Sequence, residues 1–187
     1  TPKEPQVFEV SNNEDLAAKI AEALAGDIVS LNAGTYAISE SLVIDKAITI
    51  QSKGTDKAEI VFSGAENTPL FELNPYGLLS LKNVNISGDT SQHAFATLKE
   101  NMFNHFGLTV SGCDINNFDY VLKVYKQSFA EAITFKNCII TNSENGLELS
   151  EETNDRGDYN TEYLTIDNCL FNNIKSNVID YYRGGYD

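Results

Sequence analysis

Two pairs of adjacent residues combine a tyrosine with a long cationic side chain, and they are the residues of this sequence best suited to bind a ligand. Tyr125 precedes Lys126, and Tyr182 precedes Arg183. A cationic group can pair with an acidic sugar, and a tyrosine ring can stack on a sugar ring. His105, one of two histidines, is a fifth candidate because it lies just before a predicted strand, where a loop crosses.

A ladder of ion pairs is an alternative role for the same cations. Lys126, Glu151 and Arg183 occupy one column of a sequence repeat, so stacking would place unlike charges side by side. Lys123 has acidic residues at both later positions of its own column and fits the ladder better still. The sequence leaves both roles open for Lys126 and Arg183.

Catalytic and metal-binding patterns are not evident in the sequence. A histidine acid/base needs a partner within reach, and none can be assigned to His93 or His105. The cysteines lack the Cys-x-x-Cys spacing of metal sites. An acidic loop at 151–158 is rich in oxygen ligands, but it lacks the EF-hand spacing and is interpreted as solvated. We therefore predict no catalytic residue, no metal site and no cofactor in this chain.

An internal repeat predicts the elements that position these residues. Segments 81–86, 110–115, 135–140 and 166–171 are copies of one pattern, with starts 29, 25 and 31 residues apart, and a weaker copy begins at Ile48. Repeats of this length indicate stacked units, and their alternating, β-branched residues indicate strands. We predict an all-β fold: a right-handed parallel β-helix, or pectate-lyase-like solenoid, with its handedness taken from the general rule for parallel crossovers.

Cysteines recur at one position of the repeat. Cys113, Cys138 and Cys169 share this position with Val84. We predict that they stack as small core side chains, with one strained disulfide between neighbouring coils as the alternative.

Asparagines occupy two further positions of the repeat, which we predict to be bends with left-handed backbone and amide bonds along the stack. The first of these columns contains Asn83, Gly112, Asn137 and Asn168, and the second contains Asn117, Asn142 and Asn173.

The N-terminal part of the sequence predicts a helix that caps the β-helix. Ser11 and Glu14 match a capping box, an apolar face follows, and Gly26 is suited to end the helix. We predict one β-helix domain over 1–187, with a capping helix at about 12–25 and coils over about 27–187. The last predicted strand has no closing cap, so we expect a fragment that continues with further coils, or a second chain that covers this end.

Composition limits the class of protein. The chain has 187 residues, 42% of them hydrophobic, and a formal net charge of −14. This size allows one continuous core, and the acidity disfavours nucleic acid and anionic lipid as partners. No apolar run approaches the length of a membrane span.

Several segments resemble the C-terminal β-helix domain of family 6 polysaccharide lyases, the alginate lyases related to chondroitinase B. They are 101–113, 121–133 and 177–187, with the Arg-Gly-Gly at 183–185 as the most specific part, and 15–36 is similar in a less specific way. The resemblance implies a bacterial protein that is secreted, periplasmic or at the cell surface. It also implies an alginate-like acidic polysaccharide and a catalytic β-helix domain as partners, and calcium in the parent lyase.

The resemblance implies a non-catalytic role for this portion. Members of the family carry out β-elimination on uronate polymers with a lysine and an arginine, in segments similar to Asn-Lys-Ser and Leu-Thr-Leu-Arg-His-Gly. Neither segment occurs here, and Lys136, in a similar strand position, has no accompanying Arg-His-Gly strand. Whether the chain itself is an enzyme stays open. We expect an accessory domain, with a surface glycan-binding module and a small complete lyase using Lys126 or Arg183 as alternatives.

Overall fold

The computed structural model describes residues 4–12, 14–99, 104–149 and 159–181. Over these residues the chain forms three sheets and a short helix, α1 (Leu16–Glu22). The first sheet consists of β1 (Val7–Val10), β2 (Ile28–Leu31), β5 (Ala47–Ser52), β8 (Leu78–Lys82), β11 (Asn104–Ser111), β14 (Ser128–Lys136) and β17 (Thr161–Asp167). The second consists of β3 (Thr35–Ile38), β6 (Ala58–Phe62), β9 (Val84–Ser87), β12 (Asp114–Asn116), β15 (Ile139–Ser143) and β18 (Leu170–Ile174). The third consists of β4 (Leu42–Ile44), β7 (Pro69–Leu73), β10 (His93–Thr97), β13 (Tyr120–Lys123), β16 (Asn145–Leu149) and β19 (Ile179–Tyr181).

From β2 onward the chain visits the three sheets in turn, so that three consecutive strands make one coil and six coils stack. The paired strands run parallel. This arrangement confirms the predicted parallel β-helix. The alignment of the four strong copies is also confirmed, because Leu81, Val110, Phe135 and Ile166 are neighbours in register across the first sheet. The predicted start of the weaker copy is wrong by two residues, since Ile50 and not Ile48 aligns with Leu81.

Side chains that point inward form columns along the axis and make up the core. Phe71 and Phe95 stack with ring centroids 5.5 Å apart, and Phe135 meets Phe95 edge to face at 6.4 Å. Leu122 and Leu147 are aligned and buried, whereas Ile179, aligned with Leu147 in the last coil, is 41% exposed. The core is therefore continuous from coil to coil, which is the packing that a repeat of this kind requires.

The cysteine column is confirmed. Cys113 and Cys138 are buried, Cys169 is partly buried, and all three thiols are free. The Sγ atoms of Cys113 and Cys138 lie 3.7 and 3.6 Å from the carbonyl oxygens of Leu81 and Val110 in the preceding coil. Burial raises the pKa of the Cys113 thiol to about 12. These two thiols act as small core side chains.

The asparagine columns lie at or next to the bends between sheets, as predicted, with Asn142 and Asn173 near the ends of β15 and β18. Asn83, Gly112, Asn137 and Asn168 have φ between 50° and 65°, and Asn117, Asn142 and Asn173 have φ between 54° and 69°. Amide bonds run along the stack, from Asn168 Nδ2 to Asn137 Oδ1 at 2.7 Å and from Asn173 Nδ2 to Asn142 Oδ1 at 2.8 Å. Asparagine fits these corners because it tolerates left-handed backbone and bonds to the next coil.

The predicted helix is shorter than expected, and its predicted cap is wrong. It spans Leu16–Glu22, and Asp15 is the N-cap, accepting from the Ala18 N–H at 3.0 Å. Half of the expected capping box forms in a separate turn before the helix, where Glu14 accepts from the Ser11 N–H at 2.7 Å. Asp15 displaces Ser11 because its carboxylate reaches an amide one turn further along the chain.

A buried carboxylate holds the segment after the helix in place through hydrogen bonds. The side chain of Asp27 accepts hydrogen bonds from the N–H groups of Leu24 and Gln6, both at 2.8 Å. Helical geometry ends at Ala23, and Gly26, with φ 90°, lies in the following turn rather than at the helix end. Asp27 therefore joins the end of this segment to the residues just before β1.

Candidate functional site

The described candidates lie around the edge where the chain passes from the third sheet to the first. Tyr125 and Lys126 follow β13, and Gln127, with φ 62°, turns the chain into β14. His105 lies near the start of β11, on the first-sheet side of the same edge. The structure thus places these three predicted residues along one edge of the β-helix.

The predicted charge ladders can be compared with the register only in part. Lys123, Glu148 and Asp180 are aligned neighbours in the third sheet, which confirms their column. Of the other column, Lys126 is described, whereas Glu151 and Arg183 lie outside the described residues. Tyr182 and the oxygen-rich loop at 151–158 also lie outside them, so their predicted roles remain predictions.

A depression of about 350 Å³ opens on the outer surface of the third sheet, beside this edge. Ala96 lies between Glu72 and Lys123 in the register, and its small side chain leaves the space above it open. Lys99 and Tyr125 form one wall, and the carboxylate of Glu72 also lines the depression. We call this depression, together with the adjacent Lys123, the basic pocket.

Two lysines surround one tyrosine ring at the basic pocket. The Nζ atom of Lys123 lies 4.4 Å from the ring centroid of Tyr120 and 5.7 Å from that of Tyr125. The Nζ atom of Lys99 lies 6.0 Å from the Tyr125 centroid. These distances are those of cation–π contacts. The two ammonium groups are therefore held beside an aromatic surface, in a chain whose net charge is strongly negative.

The tyrosine is fixed by the strand beside it. The backbone N–H of Tyr125 donates to Oγ1 of Thr97 at 2.9 Å. Thr97 is the last residue of β10 and is buried. Tyr125 therefore has an anchored backbone although it lies in a turn, and its ring is presented to the pocket from a defined position.

A buried histidine lies in the wall of the basic pocket. His93 is 2% exposed, and its ring meets that of Tyr120 edge to face at 5.3 Å. Its Nδ1 atom lies 3.8 Å from an oxygen of Asp119, too far for a hydrogen bond, and has no partner within the described ranges. Burial, followed by repulsion from Lys123 and Lys99, lowers the pKa of His93 to about 4. The ring is therefore neutral near pH 7.

Asp119, the carboxylate nearest this histidine, is also affected by burial. Burial raises its pKa, opposed by a hydrogen bond from Asn145 and by the positive charge of Lys123, while Glu144 adds to the rise. The Nδ2 atom of Asn145 donates to Asp119 at 3.2 Å. Asp119 is thus held by Asn145 instead of pairing closely with His93.

His105 lines a second, longer depression of about 610 Å³ on the first-sheet side of the edge. The ring centroid of His105 is 5.5 Å from that of Phe129, which is 5.4 Å from that of Tyr159. Tyr76 and Tyr163, which also line it, are 79% and 61% exposed. We call this depression the aromatic trough.

Most of the basic pocket was not predicted from the sequence. Lys99 and Tyr120 were not candidates, Lys123 was expected in an ion-pair ladder, and His93 had no assigned partner. The alignment of His93 with Tyr120, which the register shows, is the signal that could have revealed the group. This alignment could not be recognised in the sequence because β10 lies outside the well-matched copies of the repeat.

The described part of the chain contains no cluster of three or more His, Cys, Asp or Glu residues placed to hold a metal ion. Its helix is too short to cross a lipid bilayer.

Comparison with known proteins gives a structural match without a sequence-family match. No protein-family model matches the chain, and no curated protein does either. The structure is similar to that of the PL6 family alginate lyase AlyGC, with a TM-score of 0.83 and 25% identity, over 100% of this chain and 28% of that one. An arginine-to-alanine mutant of that lyase matches with a TM-score of 0.83 and 26% identity, over 99% of this chain and 26% of that one. The chain thus spans about a quarter of the lyase's length and shares a PL6-like β-helix fold with it.

Proposed function

We propose that this chain is a non-catalytic β-helix domain of an alginate-lyase-like protein and that it contacts an acidic polysaccharide at the basic pocket. The observation that carries the proposal is the placement of Lys99 and Lys123 around the ring of Tyr125. The similarity to AlyGC supports the class of parent protein.

The basic pocket suits a uronate residue. A uronate presents a carboxylate and a sugar ring with an apolar face, so an ammonium group and an aromatic ring are complementary to it. Lys99 and Lys123 supply the charge, and Tyr125 supplies the ring. Because ammonium groups carry the attraction, binding should weaken as salt is added.

The chemistry of the pocket supports binding rather than β-elimination. Removal of a sugar C–H proton needs a base whose pKa is close to the working pH. The His93 ring, with a pKa of about 4, is a weak base. Lys136, which the resemblance placed in a similar strand position to the family's lysine, lies 3.1 Å from a carboxylate oxygen of Asp167. The pair is exposed and lies on the first sheet, whereas the basic pocket opens on the third.

The domain's place in a longer protein is part of the same proposal. Its span of about a quarter of AlyGC supports an accessory role beside a catalytic β-helix domain, in a secreted, periplasmic or surface protein whose catalytic part uses calcium. We take the coils as right-handed, from the general rule for parallel crossovers. We take α1 as the N-terminal cap because Leu16 and Ile20 are buried and the helix contacts β1 and β4.

A glycan-binding module that acts by itself is the second candidate, and the contacts among Lys99, Lys123 and Tyr125 would serve it in the same way. The two candidates differ in affinity. A module should bind alginate as tightly alone as within the longer protein, whereas an accessory domain should bind weakly alone and add to the affinity of its lyase. Measuring both proteins with the same oligosaccharide separates them.

Affinity electrophoresis in gels that contain alginate tests the proposed contact. We expect the wild-type chain to be retarded at low salt and Lys123→Gln to lose most of the retardation. Lys53→Gln is the matched control: it removes one positive charge from an exposed pair with Glu9, 2.8 Å apart, and should migrate like the wild type. Equal migration of Lys123→Gln and Lys53→Gln would show that charge alone is measured and would overturn the site.

A separate assay tests the absence of catalysis. Incubation of the chain with alginate should produce no ultraviolet absorbance from an unsaturated product. If the wild type formed product and Lys126→Ala formed it as well, Lys126 would be excluded as the base of a small complete lyase. Product formed in any variant would contradict the non-catalytic proposal.

A further inference from the structure

We propose that the aromatic trough is a second binding site, which takes a neutral, hydroxyl-rich linear polysaccharide along the axis of the β-helix. The trough lies on the first sheet, outside the basic pocket, and the inference does not depend on the function proposed for that pocket.

The rings of the trough follow the coils. Tyr76 immediately precedes the third coil, His105 lies in the fourth, Phe129 in the fifth and Tyr159 just before the sixth. Adjacent strands are about 4.8 Å apart, and the ring contacts of 5.5 and 5.4 Å follow this spacing. A linear polysaccharide lying along the axis would therefore meet a new aromatic ring at each coil, which suits a polymer of sugar rings.

A glycine shapes the surface of the trough near Leu78. Gly107 aligns with Leu78, and a Cβ atom at Gly107 would come within 2.8 Å of the Leu78 side chain. The half-exposed Leu78 side chain therefore lies against the backbone of Gly107 and lines the trough as an apolar surface. The register between β11 and β14 also shifts next to Gly107, so the strand surface is locally irregular.

Carboxylates decide the chemical class of the ligand. Ala130 aligns with Thr161 and Ala132 with Tyr163, so Glu131 and Glu162 are neighbours on adjacent strands, and both line the trough. Two carboxylates side by side repel an anionic polymer. They also accept hydrogen bonds from hydroxyl groups. Aromatic rings and carboxylates together favour a neutral polysaccharide and disfavour a uronate polymer.

Gel retardation with neutral polymers tests this site separately from the basic pocket. The probes are hydroxyethylcellulose, galactomannan and xyloglucan, each at low and high salt. We expect at least one probe to retard the chain at both salt concentrations, because no ion pair is needed. The double variant Tyr76→Ala/Tyr163→Ala should bind that probe about tenfold more weakly. Both tyrosines are largely exposed, so the fold should persist, which circular dichroism checks.

Two controls locate the binding. Leu170→Ala removes an apolar side chain that is 56% exposed on the second sheet, and it should bind like the wild type. Lys123→Gln should leave neutral-polymer binding unchanged even where it abolishes alginate binding. The proposal is overturned if none of the neutral probes is retained, if the tyrosine double variant binds as the wild type does, or if salt abolishes the retention.

Discussion

At the scale of single residues, the basic pocket holds two lysine ammonium groups close together in an acidic protein. Lys99 and Lys123 lie near His93, and a third positive charge there would add repulsion and desolvation. The lowered pKa of His93 removes that charge at neutral pH. The imidazole then serves as a neutral wall that packs against Tyr120. The chemistry of the pocket thus depends on a histidine that stays uncharged.

The buried histidine predicts a specific dependence of stability on pH. The pKa of His93 falls from 6.5 in the unfolded chain to about 4 in the folded chain. Between these values the unfolded chain binds a proton that the folded chain does not, so the free energy of unfolding falls as pH falls. The contribution lost between about pH 7 and about pH 5 is about 2 kcal/mol. Urea unfolding at both pH values measures it.

The matched variant isolates this contribution from the other titrating groups. His93→Gln cannot be protonated, so its loss of stability between the two pH values should be smaller than that of the wild type by about 2 kcal/mol. An equal pH dependence for wild type and His93→Gln would show that His93 titrates normally in the folded chain.

At the scale of elements, the corners between sheets depend on asparagine for two separate reasons. Asn142 has φ 54°, which costs an ordinary side chain about 1–2 kcal/mol. Its amide also donates to Asn116 at 2.9 Å and accepts from Asn173 at 2.8 Å. Each such bond is worth about 1 kcal/mol at most at an exposed position.

Substitutions at this corner separate the two contributions. We expect Asn142→Gly to lose only the amide bonds and to destabilise the chain by about 1 kcal/mol. Asn142→Ala adds the backbone strain and should cost about 2–3 kcal/mol. Asn172→Ala, an exposed asparagine within β18, is the control and should be near neutral. Thermal unfolding ranks the three, and an alanine variant as stable as the glycine variant would contradict the role of left-handed backbone.

The asparagine and cysteine columns also show what could be predicted from the sequence. When one residue type recurs at the same position of the repeat, that position predicts where the residue lies in the coil. Asn137 and Cys138 could therefore be placed before the structure was known. The helix boundaries could not be placed as well, because Asp15 and Ser11 are both preferred caps, and the bond to the Ala18 N–H decides between them. The repeat shows the same position in several copies, whereas the helix occurs once and offers no second copy for comparison.

The basic pocket was harder to predict for the same reason. Its residues do not repeat: Lys99 lies in a turn, and His93 and Tyr120 are aligned but chemically different. Their proximity follows from the register of the third sheet, which the weakly matched strands do not reveal. By contrast, Tyr125, Lys126 and His105 could be selected as candidates from the sequence, because those residues flank the copies of the repeat, whereas their position along one edge was not predicted.

At the scale of the whole molecule, the β-helix presents different chemistry on different faces. Parallel stacking turns each outward position of a coil into a column along the axis, so that a short sequence feature becomes an extended surface. The third sheet carries the basic pocket, and the first sheet carries the aromatic trough. Strand pairing joins each coil to its neighbours, and the outward surfaces can therefore differ without disturbing the common core.

The central claim is that the chain holds an acidic polysaccharide at the basic pocket without cleaving it. An NMR titration of the chain with an alginate oligosaccharide tests both parts in one sample. We predict chemical-shift changes centred on Lys99, Tyr120, Lys123 and Tyr125, with no olefinic proton signal from an unsaturated product. Shift changes confined to other surfaces, an unchanged spectrum at saturating oligosaccharide, or a growing olefinic signal would contradict the account.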